Sequence, residues 1–277
     1  MPEIPELELL RRDLEREVGE RKIKTIEVQL ASLVKRPSKK DLIAALEGKK
    51  LTGVTRQGML LLIGIEGEQL LVISMGDATR MTRNQPREEL AAGTAAVISF
   101  TQGGQLRIID PAKEATMELI AADTLDEVHP ELINRGFDPV DEPISWITFG
   151  ERLMSRDEKL KTILMDQTVV VGIGAMYSDE ILFHSGLRFD RLTSTLSAQE
   201  VRRLYRSLVE TVHEALKYGG TTLGEDGWVG LAGTPGDYGQ YITVYKRDGE
   251  MSPRARGPIV KARFGRGYTY FCEQTQV

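Results

Sequence analysis

A single cysteine, Cys272, stands in a chain of 277 residues, which excludes an internal disulfide and a cysteine-rich zinc site. Histidine is equally scarce. His129, His184 and His213 lie far apart without metal-ligand spacing, so ordinary surface or core positions are expected. No run approaches the roughly 18 apolar residues of a membrane span. The acidic start lacks the basic and apolar pattern of a signal peptide. A cytoplasmic protein with no membrane contact is therefore expected. Repeats and low-complexity tracts are missing as well.

Basic charge is in deficit overall, with a net −5, which argues mildly against nucleic acid. That average hides an asymmetry. From Gln240 onward seven cations (Lys246, Arg247, Arg254, Arg256, Lys261, Arg263 and Arg266) face Asp248, Glu250 and Glu273. A second basic cluster, VKRPSKK at Val34–Lys40, reads as a loop containing Arg36. Each cluster alone also suits a solvated surface.

Apolar patterning sets the order of elements. Leu7, Leu9, Leu10, Leu14 and Val18 recur at helical spacing, with Pro5 suited to a first turn and Glu6 and Glu8 near the positive end of the helix dipole. KIKTIEV, LTGVTRQGMLLLIGI, QLLVISM, TAAVISF and QLRIID follow as short strands between glycine-rich turns, a pattern that predicts a β-sandwich. RGFDPVDEPISW reads as a linker, and four helical segments come next. Ser197 and Glu200 form a capping box for the last of them. GQYITVYKRDGE and GPIVKARFGRGYTYF return to strand-like alternation. The bounds expected are 1–130 for the sandwich, 131–147 for the linker, 148–225 for the helices and 226–277 for the tail.

One stretch points further. LKTILMDQTVVVGIGAMYSDEILFHSGL carries Asp166, Gln167, Gly172, Gly174, Tyr177, Asp179, Glu180 and Gly186. Glycine-flanked N–H groups ahead of a helix make an anion site fit for a DNA phosphate, and Lys161 would add a charge. The stretch resembles the helix–two-turn–helix of the formamidopyrimidine-DNA glycosylase/endonuclease VIII family. PEIPE at Pro2–Glu6 resembles that family's PELPE start, and RGFDP and LTGVTRQG fall where its pattern would place them. The resemblance spans the chain. It implies an α+β fold: an N-terminal helix and β-sandwich, a helical DNA-binding domain, and a C-terminal β-hairpin finger.

The resemblance also implies chemistry. With Met1 removed, Pro2 offers a secondary amine that attacks the sugar C1′ of a damaged nucleotide. Glu3 shuttles protons, and Glu6 holds the terminus and the sugar. Such a DNA glycosylase with abasic-site lyase activity needs no metal or cofactor. It would act as a monomer on damaged or abasic DNA, single strands included. Arg36, Lys161, Gly172, Gly174, Tyr177 and Arg266 are the DNA-binding residues this reading selects.

Departures from the family pattern cluster at functional positions. Met59 replaces a phosphate-binding lysine. Asp77, Ala112, Lys113 and Glu114 occupy the positions of side chains that fill the space of a flipped nucleotide, and Ala175 replaces an asparagine. Ser252, Ala255, Cys272 and Thr275 align with four zinc cysteines, so the finger is expected to be zincless and held by Val244, Ile259, Phe264, Tyr270 and Phe271. A relative with impaired chemistry that only binds DNA or a partner is the alternative reading.

Overall fold

The computed structural model describes residues 2–224 and 227–277. Its contacts divide the chain into two compact units, Met1–Ile133 with Tyr218–Asp237, and Asn134–Lys217 with Tyr238–Val277. The expected boundary between 225 and 226 lies outside the described residues, as does Met1.

In the first unit, α1 (Ile4–Val18) buries Ile4, Leu7, Leu10, Leu14 and Val18, the stripe its spacing predicts. Strands β1 (Ile23–Val28) and β2 (Val34–Arg36), helix α2 (Lys39–Leu46), and strands β3 (Leu51–Gln57), β4 (Leu60–Ile65) and β5 (Gln69–Ser74) follow. They are succeeded by β6 (Arg80–Asn84), β7 (Thr94–Phe100), β8 (Gln105–Ile109), β9 (Thr116–Ala121) and the short α3 (Leu125–Val128). One sheet has the order β1-β7-β8-β6 and the other β2-β9-β5-β4-β3. Ile26, Ile98 and Ile108 from the first share a core with Leu61, Ile63, Leu71 and Ile73 from the second, which makes the pair a sandwich. Leu62 and Val72 point the other way, into a second cluster with Ile120, Leu125 and Leu132. Burial on both faces explains why β4 and β5 read as unbroken apolar runs.

The basic cluster VKRPSKK is not a loop. Val34–Arg36 pairs with β9, and Ser38 caps α2 by accepting the Asp41 N–H at 3.2 Å. Strands β6 and β9 also escape the apolar pattern. Only Met81 is buried in β6, and β9 carries the buried Glu118.

The second unit holds α4 (Trp146–Leu153), α5 (Leu160–Leu164), α6 (Ala175–Ser185), α7 (Ala198–Lys217) and the hairpin β10 (Val260–Phe264) and β11 (Gly267–Phe271). RGFDPVDEPISW is packed rather than an open linker. Phe137 and Asp138 are buried, Phe137 bridges Val170, and Gly136 donates its N–H to the Gln167 carbonyl. A Cβ on Gly136 would lie 2.2 Å from the Val169 carbonyl carbon, so only glycine fits there. GQYITVYKRDGE forms a short 3-10 turn at Tyr238–Tyr241 and further turns instead of a strand. Its N–H groups find a carboxylate in place of a strand partner, as described below.

The capping box is present. Glu200 accepts the Ser197 N–H at 2.8 Å and pairs with Arg191 at 2.6 Å. Burial raises the carboxyl, but the Ser197 and Arg191 hydrogen bonds outweigh it and hold the pKa down at about 2. A depressed acid contributes stability above its unfolded value and loses it as pH falls toward the folded one. Glu200→Gln should therefore cost about 1 kcal/mol at pH 7. In urea melts from pH 7 to pH 2 the gap to wild type should close below pH 4.5.

Candidate active site

The first residues are held in place by their own helix. Pro2 is buried, Glu3 caps α1, and the Glu3 N–H donates to Glu6 Oε2 at 3.1 Å. Glu6 is itself buried, and its Oε1 accepts the Thr221 N–H at 2.9 Å. One carboxylate thus ties the start of the chain to the segment after Tyr218. Gly220 takes φ +81°, and a Cβ there would meet Trp228 at 2.9 Å and Glu6 at 3.3 Å. Glycine is required on both counts. Of the candidate catalytic residues, Glu3 and Glu6 are joined by the Glu3 N–H hydrogen bond, and the buried Pro2 precedes Glu3 in the chain.

Glu8 was legible only as a helix-start acid. Its side chain is 1% exposed and takes Arg12 at 2.7 Å, Arg11 at 2.8 Å and the buried Arg56 of β3 at 3.2 Å. Burial would raise its carboxyl, yet the hydrogen bonds from Arg11 and Arg12 and the charges of Arg11 and Arg56 hold it below the usual range. The spacing from Ile4 to Glu8 places it beside the buried stripe, the one hint the sequence contained.

At the β3–β4 turn Met59 packs against the sandwich core, as its aliphatic character predicts. The Asp77 and Glu114 loops are joined. The Asp77 N–H donates to Glu114 Oε2 at 2.9 Å, Thr79 accepts from Gly76 at 2.8 Å, and Asp110 receives Thr79 Oγ1 and the Ala115 N–H. No large apolar side chain stands at Asp77, Ala112, Lys113 or Glu114. Arg36 pairs its Nε with the buried Glu118 at 2.8 Å, while its side chain stays half exposed.

In the second unit several expectations change. Lys161 is fully buried, so it is not a surface phosphate contact. Its Nζ binds Asp179 at 2.5 Å, Ala175 O at 3.1 Å and Thr269 at 3.2 Å, and it lies over the Phe264 ring. Tyr177 is likewise fully buried against Tyr238 and belongs to the core. Gly172 turns at φ +70° and spends its N–H on Gln167 Oε1 at 2.6 Å, so it shapes the loop instead of facing outward. Gly174 is the residue before α6, and Arg266 is exposed at the hairpin turn.

The acids of α6 organise the tail. Glu180 accepts the N–H groups of Thr243, Val244 and Tyr245 at 2.7, 2.9 and 2.9 Å. Asp179 binds Lys161, Thr269 and the Tyr270 N–H, and burial pushes its carboxyl up to about 6 against the pull of Lys161. Val244, Ile259 and Cys272 pack with Phe183, and the Phe271 ring lies tilted against Phe189 with centroids 5.0 Å apart. The four positions aligned with zinc ligands do not fit a metal, because Ser252, Ala255 and Thr275 bring no thiolate. Among the described residues no group of three or more His, Cys, Asp or Glu is placed to hold one.

Lys161→Met should lower stability by about 3–5 kcal/mol, since it strands Asp179 in the interior. A denaturant midpoint reads this. The salt slope of DNA binding should be unchanged, whereas loss of a true phosphate contact would reduce it by about 1.

Comparison with known proteins decides the family. Residues 1–117 match the formamidopyrimidine-DNA glycosylase N-terminal domain, and 135–226 match the formamidopyrimidine-DNA glycosylase H2TH domain. The formamidopyrimidine-DNA glycosylase of Halalkalibacterium halodurans is 31% identical over 277 residues, covering 100% of both chains. This chain belongs to the formamidopyrimidine-DNA glycosylase family. The family enzyme of Geobacillus kaustophilus is 32% identical over 278 residues, again covering 100% of both. A crystal structure of Lactococcus lactis Fpg with abasic-site DNA superposes with a TM-score of 0.90 at 27% identity, over 99% of each chain. Another, of Fpg with a tetrahydrofuran-containing DNA (THF-DNA) and an inhibitor, gives 0.90 at 28% identity over 100% of each. No helix among the described residues is long and apolar enough to cross a membrane.

Proposed function

We propose that Pro2, freed by removal of Met1, is the nucleophile of a base-excision reaction on DNA. The chain is a DNA repair glycosylase with abasic-site lyase activity, and it binds DNA. The observation that carries the assignment of roles is the buried Glu6 carboxylate, which holds the Glu3 N–H and the Thr221 N–H at once.

An α-amino group titrates near pH 8, so a useful fraction is neutral at pH 7. Its lone pair attacks C1′, and the C1′–N bond to the damaged base breaks, the base leaving with a proton. Glu3 protonates the opening sugar oxygen, and the nitrogen lone pair then completes an iminium ion. That electron sink acidifies the C2′ hydrogen. Its removal expels the 3′ phosphate, and water hydrolyses the iminium to return the amine. Glu6 keeps the amine and Glu3 in register. Gly174, Arg36 and Arg266 take the DNA backbone, with residues 1–130 as the catalytic part, 148–225 as the DNA-binding helices and 226–277 as a zincless finger on a monomer. Lys161, Gly172 and Tyr177 shape the second unit from within.

The joined Asp77 and Glu114 loops favour a substrate that needs little help to leave the stack. Extrusion from a duplex costs a few kcal/mol, offset elsewhere by inserted side chains. Acids at these two positions repel phosphate instead. Borohydride trapping on abasic DNA tests the reading, with single strands expected to give adduct at least about fivefold faster than duplex. Equal rates would remove the strand preference. Binding without any adduct would favour the impaired relative.

A further inference from the structure

A groove of about 720 Å³ on the second unit has no part in this chemistry. Its floor is Tyr205, whose hydroxyl donates to the Ile144 carbonyl and whose ring rests 5.5 Å from Phe149. One wall is Trp146 at the start of α4, half-buried and without a ring contact to another aromatic residue among the described residues. The other wall is a ridge of α7. Gln199, Arg202, Arg206 and Val209 recur at i, i+3, i+7 and i+10, which puts them on one helical face beside the buried one. Next to Trp146, Ile147 is 55% exposed.

Charge sits at the rim. Arg202 is exposed with no ion-pair partner among the described residues, and Arg203 donates Nε to the Ser185 carbonyl. Arg206 holds Glu210 at 2.7 Å. Tryptophan, tyrosine and arginine around an apolar floor are the residue types that anchor protein partners.

We propose that this groove binds a short acidic segment of another protein, with one apolar side chain seated on Trp146 and Tyr205 and its carboxylates on the arginines. The volume is that of an ordinary ligand cleft and holds a few side chains of a short segment. Nucleic acid is the poorer fit because the groove lies away from Gly174, the proposed backbone contact, and Glu210 in its lining is held by Arg206. Arg203 reaches the far end of α6, whose 11 residues set it about 16 Å from Gly174.

The chain has two tryptophans, so Trp228→Phe leaves Trp146 as the only indole. In that background, an aspartate-rich synthetic peptide with one phenylalanine is titrated against Trp146 fluorescence. Its lysine-for-aspartate counterpart and oligothymidylate serve as the other probes. The acidic peptide should give a saturating, salt-sensitive change, and Arg202→Glu should weaken it about tenfold. Borohydride trapping on abasic DNA by Arg202→Glu should match wild type, and a thermal melt checks its fold. No response to the acidic peptide, or a response that Arg202→Glu leaves intact, overturns the proposal. So does displacement of the peptide by oligothymidylate, which would make the groove a nucleic-acid site.

Discussion

Pro2→Glu should abolish covalent trapping on abasic DNA, a fall of about a thousandfold or more in adduct rate. A bulky acid at position 2 leaves Met1 in place, so the amine moves one residue outward and becomes primary. The structure explains why that displacement is costly. Pro2 is buried and Glu3 is fixed by the Glu6 carboxylate, so an amine attached to Met1 cannot reoccupy the same position. Reversible DNA binding should survive, because the residues proposed to hold the backbone lie elsewhere. Anisotropy and gel trapping on the same oligonucleotide separate the two effects. Intact mass confirms which terminus each protein carries.

Glu8→Ala should be the most destabilising single change in the first unit, at about 3–5 kcal/mol. It takes the Glu8 carboxylate away from the guanidinium of Arg56, whose side chain is fully buried, and from Arg11 and Arg12. Arg56 also donates to the Gly58 carbonyl at 3.0 Å, so the β3–β4 turn loosens with it. At about 2–4 °C per kcal/mol for a domain of this size, the melting temperature should drop by roughly 6–20 °C. Replacing both partners, Glu8→Met with Arg56→Met, should recover part of the loss, since the buried guanidinium then leaves together with the Glu8 carboxylate. Acid provides a second check. Because Glu8 is depressed in the folded protein, its contribution is present above pH 4.5 and disappears as pH falls below it.

The difference between what could be read in advance and what could not has a physical cause. Periodicity reports burial of apolar groups, so α1, the central strands and α7 were legible, as was the Ser197–Glu200 cap. Polar groups buried by pairing carry no such signature. Glu8 with Arg56, and Lys161 with Asp179, look like solvated charges until the fold brings together residues 48 and 18 positions apart. Lys161 was misread for that reason, whereas Tyr177 was selected by resemblance alone and lies buried against Tyr238. GQYITVYKRDGE alternates like a strand, yet Glu180 takes three successive N–H groups that a sheet would have used. The candidate catalytic residues Pro2, Glu3 and Glu6 come from the resemblance of PEIPE to the family's start, and the structure adds the Glu3 N–H on the Glu6 carboxylate.

These side-chain clamps also account for a finger without thiolates. In place of four metal bonds the tail has Glu180 on three amides, Asp179 on Thr269 and Tyr270, and an apolar cluster around Cys272. The basic groups thereby stay outward on the hairpin, including Arg266 at its turn.

The central claim is that the covalent bond to DNA forms at the nitrogen of Pro2. The adduct reduced by borohydride on abasic DNA, digested and read by tandem mass spectrometry, tests it directly. The modified peptide should begin at Pro2 and carry the sugar remnant on its terminal nitrogen. A remnant on any lysine, or an adduct on a chain that still begins with Met1, would contradict it.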